Sequence, residues 1–201
     1  MADFLLIQTQ TGWGKVLETF AGWCQPQAGW QTLDIGCGPG LLPALLARRG
    51  CLAYGIDLDA AMLRPHRLHG PLVQADALRL PFPEGWFHLV TASNLLFTLP
   101  DPKAALVEMR RLLQPTGQVA LLNPSERLNM AAALSISERR GLQGVARDSL
   151  INWARIAEAG RRWHEDELSE LFTSAGMKLT EAALMVGPGF ARFTRGIRLQ
   201  Q

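Results

Sequence analysis

Short apolar runs alternate with segments of helical period along the first 122 residues of the chain. The runs carry few charges and are bounded by glycine, proline or polar turns, which is typical of buried parallel strands. They fall at residues 33–35, 51–57, 71–74, 86–92 and 118–122. Between them, segments such as 41–47 and 103–113 repeat their apolar residues at helical spacing. This alternation predicts an α/β fold built on a mostly parallel sheet.

The N-terminal end of the chain has a different pattern. Residues 1–12 form a short lead with no clear period. Residues 14–25 have apolar positions at helical spacing, and Pro26 ends that pattern. One helix is therefore predicted ahead of the first strand, and Trp13 and Lys15 at its start are weighed as neighbours of a ligand or as ordinary packing and surface residues.

Three helices and a hairpin are predicted beyond the fifth strand. Two helices cover about 127–140 and 149–159, and a third opens after His164 with an acidic first turn and ends at Gly176. The last two β segments, 177–186 and 190–199, flank the turn Gly187-Pro188-Gly189, and the second of them alternates apolar and polar residues.

Composition limits the class of protein. With 201 residues, 48% of them hydrophobic and 19% charged, the chain suits one compact domain with a sizeable core. A formal net charge of +2 is too small to indicate nucleic-acid binding by itself. No apolar run reaches the ~20 residues that span a bilayer, and no secretory signal is recognisable. Three cysteines without a Cys-x-x-Cys pair indicate neither a disulfide framework nor a metal site, so a reducing cytoplasm is expected.

A glycine turn follows the first strand. Glycines at 36, 38 and 40 allow positive φ and leave bare backbone against which a ligand can lie. The dinucleotide pattern Gly-x-Gly-x-x-Gly fails because position 41 is leucine, and no phosphate-loop lysine is present. Asp34, two residues before the first glycine, can accept from an ammonium group. The turn therefore favours a ligand with an amino-acid moiety over one with a pyrophosphate.

Two further acids stand at the ends of the second and third strands. Asp57 has the position at which an acid holds a ribose diol in nucleotide-binding sheets. Asp76 can accept from an exocyclic adenine amine, while the Ala77 N–H faces a ring nitrogen. Three acids at three successive strand ends predict a ligand with an ammonium, a ribose and an adenine, and with no demand for phosphate.

Four stretches of the sequence resemble the ordered motifs of class I S-adenosylmethionine-dependent methyltransferases. They are LDIGCGPG, GIDLD, QADALRLPFPEGWFHLV and LLQPTGQVALLNP. Within that family the chain is most similar to the small type 11 methyltransferases, which include the quinone-biosynthesis enzymes. The resemblance covers about residues 31–123 and is weaker beyond them.

The resemblance implies a Rossmann-like, doubly wound sheet of seven mostly parallel strands with a C-terminal β-hairpin and a helical lid insertion. It implies a single domain over residues 1–201. The expected parts are a helical cover (1–30), a cofactor-binding core (31–124), a helical lid (125–160) and a closing helix with the hairpin (161–201). The implied activity is methyl transfer from S-adenosylmethionine to a small, apolar or aromatic molecule, leaving S-adenosylhomocysteine.

The resemblance also carries site residues onto this chain. The cofactor-binding set is Asp34, Gly36, Cys37, Gly38, Gly40, Asp57, Leu58, Asp76, Ala77, Ser93 and Asn94. The substrate set is Leu96, Phe97, Asn123 and Trp153. Cys37 is interpreted as a small filler rather than a reactive thiol. No residue is assigned as a catalytic base, although His66, His69, His88, His164 and Glu126 are all considered.

One position departs from the family pattern. His88 stands where relatives usually have an aspartate that faces the pocket region. It is interpreted as a neutral hydrogen-bonding substitute, or else as a sign that the protein binds the cofactor without catalysis. A non-catalytic binding module and an RNA methyltransferase are therefore kept as alternatives, and the acceptor and the oligomeric state are left open.

Overall fold

The computed structural model describes residues 4–63 and 70–199. Eight α-helices lie in these ranges. They are α1 (Phe4–Gln10), α2 (Trp13–Trp23), α3 (Leu41–Ala47), α4 (Ala60–Leu63), α5 (Pro102–Leu112), α6 (Met130–Arg139), α7 (Gly144–Ala159) and α8 (Glu165–Ser174), with a 3-10 turn at Leu96–Thr98. The seven strands are β1 (Gln31–Ile35), β2 (Leu52–Asp57), β3 (Leu72–Gln74), β4 (Phe87–Ser93), β5 (Leu113–Pro124), β6 (Met177–Met185) and β7 (Ala191–Arg198).

The strands form one sheet in the order β3-β2-β1-β4-β5-β7-β6. The first five are parallel to one another, whereas β7 runs antiparallel to both β5 and β6. The order reverses between β1 and β4, where the chain has crossed from one side of β1 to the other. In open parallel sheets a ligand binds at such a reversal, beyond the carboxyl ends of the strands. The expected seven-stranded fold with its closing hairpin is confirmed.

Two apolar layers cover the two faces of the sheet. One contains fully buried side chains of α5 and α8, such as Leu106 and Phe172, packed on the strands. The other contains α2 and α3, with Phe20 and Leu46 packed against the opposite face. The central strands are therefore buried on both sides, which is the reason that their sequences read as nearly continuous apolar runs.

The N-terminal lead, which shows no clear period in the sequence, contains a helix. Residues Phe4–Gln10 form α1, which packs against α2 and α7. The helix is short and three of its residues are polar, so the sequence offers less than two full turns in which a period can be recognised.

Helices α6 and α7, which lie in the segment expected to form a lid and are called the lid helices here, form a hairpin with a small apolar core of its own. Asn129 caps α6 by accepting from the Ala132 N–H at 2.8 Å. The sequence placed the start of the second lid helix at Ser149, but α7 begins at Gly144. The segment 114–117, expected to be a turn before the fifth strand, lies within β5 instead. Leu113 pairs with Phe87 of β4, and regular pairing between the two strands resumes at Gln118 after an irregularity.

Candidate active site

The glycine turn leaves β1 with all three of its glycines at positive φ, namely +70° at Gly36, +52° at Gly38 and +88° at Gly40. The Cys37 N–H donates to the Ile56 carbonyl at 2.8 Å, which ties the turn to β2. A Cβ built on Gly38 would meet nothing within 4 Å, so this glycine faces open space. A Cβ built on Gly40 would lie 3.1 Å from the Leu72 side chain, so Gly40 allows this close packing and caps the start of α3.

Cys37 is buried inside the turn. Burial raises the pKa of its thiol, and the nearby Asp34 and Asp57 carboxyls raise it further. A Cβ on Gly55 would fall only 2.8 Å from the Cys37 sulfur, so the two residues pack tightly together. The geometry fits the interpretation of Cys37 as a small filler, because nucleophilic cysteines have a lowered pKa.

Asp57 ends β2 and faces the same turn. One carboxylate oxygen accepts from the Gly38 N–H at 2.8 Å and the other from the Asp59 N–H at 3.0 Å. Each oxygen has two lone-pair sites, so both keep capacity for a further donor. The backbone thus fixes the orientation of the carboxylate before any ligand arrives.

Asp76 follows β3 and is held in a similar way. One of its carboxylate oxygens accepts from the Leu78 N–H at 2.9 Å, and its carbonyl accepts from the Arg79 N–H at 3.0 Å. The side chain of Asp76 is exposed, whereas the adjacent Ala77 is buried. Acid and backbone amide therefore lie together just beyond the end of the third strand.

Asp34 is the most unusual acid of the site. It is 2% exposed and accepts from the Thr91 hydroxyl at 2.8 Å. Burial raises the pKa of its carboxyl to about 8, the Thr91 hydrogen bond opposes that rise, and the charge of Asp57 adds to it. No cation among the residues that the structure describes pairs with it. A buried carboxyl of this kind is stabilised as a carboxylate by a cation that approaches it.

These residues line one cavity of about 400 Å³, called here the strand-end cavity. The predicted cofactor residues that line it are Asp34, Gly36, Cys37, Gly38, Asp57, Leu58, Asp76, Ala77, Ser93 and Asn94. Gly40 does not line it. The charged residues in its described wall are four aspartates, the three named above and Asp59, with no arginine, lysine or histidine.

The sequence missed a part of this wall. Phe4 and Gln8 of α1 cover the cavity, and the Gln8 side-chain oxygen is buried without a hydrogen-bond partner in the described part of the chain. Leu95, Thr98 and Leu99 also line it, and so does Trp13, for which a ligand contact was weighed. No sequence signal marks this part of the wall, because α1 is too short to show a period.

A second cavity of about 510 Å³ lies beside the first and is called here the lid cavity. Its walls come from α1, α2, the 3-10 turn, the two lid helices and the turn of the β6–β7 hairpin. Two of the four predicted substrate residues, Phe97 and Trp153, line it. The other two line neither cavity, since Leu96 is fully buried in the core and Asn123 is buried in β5.

Phe4, Trp13, Asn94 and Thr98 line both cavities and form their shared wall. The Trp153 indole N–H donates to the Asn94 side-chain oxygen at 3.0 Å, and the Trp13 and Trp153 rings meet edge to face with centroids 5.1 Å apart. Asn94 has φ +55°, a left-handed conformation that asparagine tolerates better than most residues. The shared wall thus connects the end of β4 to the lid.

The candidate bases that the structure describes lie away from the shared wall. His164 caps α8, and its backbone N–H donates to Glu167 at 2.7 Å. Burial raises the pKa of Glu126, but the hydrogen bond from Arg192 at 3.0 Å, a backbone hydrogen bond and the charges of Arg192 and His164 together lower it by more, so the net pKa is lowered. His66 and His69 lie outside the described residues. The described wall of the lid cavity contains no acid, histidine, lysine, cysteine or tyrosine.

His88 lies at the amino end of β4, whereas Ser93 at the carboxyl end lines the strand-end cavity. Five residues of strand span about 16 Å. The His88 ring stacks on Trp30 with centroids 5.7 Å apart, and its Nδ1 accepts from the Gln31 N–H at 3.1 Å. The expectation that this position faces the pocket is wrong, so His88 gives no support to a non-catalytic protein.

Three observations indicate that the residues of the strand-end cavity suit S-adenosylmethionine. The ligand is cationic at its ammonium and sulfonium groups, and the described wall carries acids alone as charged groups. Asp34 is a buried carboxyl without a cationic partner in the described part of the chain. The missing side chain at Gly38 leaves an open cradle at the turn.

Comparison with known proteins places the chain among the methyltransferases. A family model described as a methyltransferase domain matches residues 33–121. The chain is 31% identical over 160 residues to a demethylmenaquinone methyltransferase of Corynebacterium kroppenstedtii, an alignment that covers 76% of this chain and 70% of that protein. It is 39% identical over 103 residues to a ubiquinone biosynthesis O-methyltransferase of Pseudomonas aeruginosa, covering 47% of this chain and 44% of that protein.

Solved structures agree on the fold. Magnesium protoporphyrin IX methyltransferase from Synechocystis PCC 6803, with bound S-adenosylhomocysteine, superposes with a TM-score of 0.67 at 16% identity and covers 98% of this chain and 89% of that chain. The [4+2]-cyclase SpnF superposes with a TM-score of 0.68 at 15% identity, covering 92% and 81%. At these identities the likeness shows the fold alone.

Fold, strand-end cavity and relatives together define an S-adenosylmethionine-dependent methyltransferase. Within that class, the chain belongs to the family of small methyltransferases that includes the quinone-biosynthesis enzymes. None of the helices in the described ranges is long and apolar enough to cross a bilayer.

Proposed function

We propose that this enzyme methylates a small apolar or aromatic molecule held in the lid cavity. The observation that carries the proposal is the wall shared by the two cavities, formed by Phe4, Trp13, Asn94 and Thr98. A donor bound at the strand ends and an acceptor under the lid would meet at this wall. The names of the relatives, which refer to demethylmenaquinone and ubiquinone biosynthesis, favour a quinone precursor as the acceptor.

The strand-end residues would hold the cofactor by its polar groups. Asp34 lies where it can accept from the ammonium group, and Asp57 where it can accept from the ribose hydroxyls. Asp76 and Ala77 lie at the adenine end, while Gly36, Cys37 and Gly38 present backbone to the ligand. Leu58, which is 67% exposed at the rim, gains cover when a ligand lies against it.

Positioning is the main chemical task of the protein. When bound, S-adenosylmethionine supplies an electrophilic methyl group on sulfur, which is already a good leaving group. Aligning two reactants in a closed site can lower a barrier by about 7–11 kcal/mol. The Trp153 indole N–H fixes the Asn94 side chain, and Trp13 packs edge to face against Trp153, so the shared wall is held in place by side-chain contacts. In-line displacement is the mechanism that this arrangement supports.

No general base is assigned to the described wall of the lid cavity. We therefore propose that the acceptor presents an atom that is nucleophilic without proton transfer to those residues, such as an electron-rich ring carbon or an ionised oxygen. This restricts the acceptor class more than the size of the cavity does.

An acceptor screen tests the proposal. The enzyme would be incubated with S-adenosylmethionine and a panel of naphthols, quinols and polar metabolites, and S-adenosylhomocysteine would be measured by chromatography. Ala146 lines the lid cavity near one end, so Ala146→Trp should abolish turnover of the aromatic acceptors and leave cofactor binding intact. Ala131→Trp is the matched control, because Ala131 is exposed on α6 and lines neither cavity.

Two results would contradict the proposal. Turnover confined to polar acceptors would mean that the acceptor class is wrong. Full activity of Ala146→Trp toward an aromatic acceptor would mean that the acceptor binds elsewhere.

A further inference from the structure

The lid cavity has a single charged residue in its described wall, and that residue is Arg140. The other residues around it are apolar or carry neutral polar groups such as the Ser149 hydroxyl and the Asn152 amide. The strand-end cavity is the opposite, with four aspartates and no cation in the part of its wall that the structure describes. A lone guanidinium beside an apolar cavity is suited to a ligand that is apolar along most of its length and anionic at one point.

Arg140 has no ion-pair partner among the described residues. It caps the C-terminal end of α6, where its backbone N–H donates to the Ile136 carbonyl at 3.0 Å. On the neighbouring helix, Asp148 pairs with the Arg147 guanidinium at 3.9 Å and not with Arg140. The guanidinium of Arg140 is therefore left for water or for a ligand.

The lid hairpin places Arg140 far from the shared wall. At one end of the hairpin, the Met130 N–H donates to the Glu158 carboxylate at 3.0 Å, so α6 and α7 run antiparallel. Arg140 and Ala146 lie at the other end, next to the connecting loop. Ala146 and Trp153 are seven helical residues apart, which corresponds to about 10 Å along α7. The cavity thus extends from the shared wall at Trp153 toward the cation at Arg140.

We propose that the acceptor is an apolar acid, with its methyl-accepting atom at the shared wall and an anionic substituent bound by Arg140. The two ends of the molecule would be separated by about 10 Å, the distance along α7 derived from the helical rise. Arg140 is then a residue that determines substrate specificity, since it selects acids over neutral molecules of the same shape. This inference rests on the proposed function, because it assumes that the acceptor occupies the lid cavity.

Two fluorescent probes that differ by one anionic group test the inference. One probe is 1-anilinonaphthalene-8-sulfonate, and the other is the neutral N-phenyl-1-naphthylamine, which has the same rings. Both would be titrated in the presence of S-adenosylhomocysteine, so that the strand-end cavity is occupied. Arg140 is exposed, so Arg140→Gln should weaken binding of the sulfonate about fivefold to tenfold, through the loss of one charge-assisted contact, and leave binding of the neutral probe unchanged.

Matched variants separate the inference from the proposed function. Arg139→Gln removes the neighbouring charge, which does not line the cavity, and should affect neither probe. Arg140→Lys should retain a part of the sulfonate preference. Ala146→Trp should block both probes. If Arg140→Gln binds the sulfonate no more weakly than Arg139→Gln does, the role of Arg140 is overturned, and the lid cavity remains the proposed acceptor site. Binding of both probes unaffected by Ala146→Trp would overturn the lid cavity itself.

Discussion

The two adjoining cavities of this enzyme are built in different ways. The strand-end cavity takes its four acids, Ser93 and Asn94 from the carboxyl ends of β1, β2, β3 and β4, within residues 34–94. The lid cavity is assembled from α1, α2, the 3-10 turn, both lid helices and the β6–β7 turn, which are spread over most of the chain. Each strand end is a local feature with a recognisable sequence pattern. The lid cavity exists only because separate helices pack together.

The two cavities also differ in charge. In the described wall of the strand-end cavity, the only residues with ionisable acidic or basic side chains of the Asp, Glu, Lys, Arg and His types are aspartates. In the described wall of the lid cavity, the single residue of these types is Arg140. This difference suits a cationic methyl donor on one side and an apolar acid on the other. Because the cavities share one wall, substitutions that affect one cavity and spare the other test most directly whether the donor and the acceptor bind in different cavities.

The largest expected effect comes from Gly38→Val. The new side chain would enter the open space beside the glycine turn, at a φ of +52° that β-branched residues rarely adopt. We expect calorimetry to detect no binding of S-adenosylhomocysteine, whereas N-phenyl-1-naphthylamine should still bind in the lid cavity.

Gly141→Val is the matched control for that variant. Gly141 also has a positive φ, +59°, and a Cβ there would meet nothing within 4 Å, but it lines neither cavity. It carries the same backbone strain without obstructing the ligand. Retained cofactor binding in Gly38→Val would mean that the turn does not face the cofactor.

Asp57→Ala should have the next largest effect. Loss of an acceptor for the ribose hydroxyls should weaken cofactor binding by about 2–3 kcal/mol, within the range for a hydrogen bond to a charged group. Because Asp57 also accepts from the Gly38 N–H, the alanine variant can disturb the turn as well. Asp57→Asn keeps one acceptor for that N–H, so a smaller loss of affinity in it would separate the two contributions. Unchanged affinity in both variants would contradict the placement of the ribose.

These residues show what the sequence could reveal about the site. Asp34, Asp57 and Asp76 were recognisable because parallel strands deliver their carboxyl ends to one edge of the sheet, so position along the chain fixes position in space. Of the four residues predicted for the substrate, Phe97 and Trp153 line the lid cavity, whereas Leu96 and Asn123 are buried and line neither cavity. Arg140 and the helix α1 were missed, since their roles depend on how distant helices pack.

His88 shows the same limit inside a strand. A departure from a family pattern indicates an effect on the site only if the position is near the site. Which end of β4 faces the ligand follows from the parallel topology, and that topology places residue 88 at the far edge. The residue type could be read from the sequence, but its distance from the cavity came from the strand direction.

Asp34→Asn should change stability and binding in opposite directions. The folded-state pKa of about 8 is above the unfolded value near 3.8, so the folded chain keeps a proton that the unfolded chain releases. Wild-type stability should therefore fall as pH rises from about 4 to about 8 and then level off. The asparagine can still accept from Thr91 and carries no charge, so at pH 8 it should be more stable than wild type by at least about 1 kcal/mol.

Cofactor affinity gives the other half of that prediction. The ammonium group favours the ionised Asp34, so wild-type affinity should rise with pH up to about 8, the pKa of the free protein. Asp34→Asn should bind about 2 kcal/mol more weakly at pH 8, within the range for hydrogen bonds to charged groups, and should lose most of the pH dependence. Denaturant titration and calorimetry across this pH range measure both effects. A pH-independent wild-type affinity would show that Asp34 does not face the ammonium.

His88→Asn should have the smallest effect on the site. The amide oxygen can accept from the Gln31 N–H in place of Nδ1, but the stacking on Trp30 is lost. We expect the free energy of unfolding to fall by about 0.5–1.5 kcal/mol, the usual worth of an aromatic pair. Affinity for S-adenosylhomocysteine should stay within about twofold of wild type, because about 16 Å of strand separates residue 88 from the cavity. A tenfold loss of affinity without loss of stability would show that this edge of the sheet acts on the site after all.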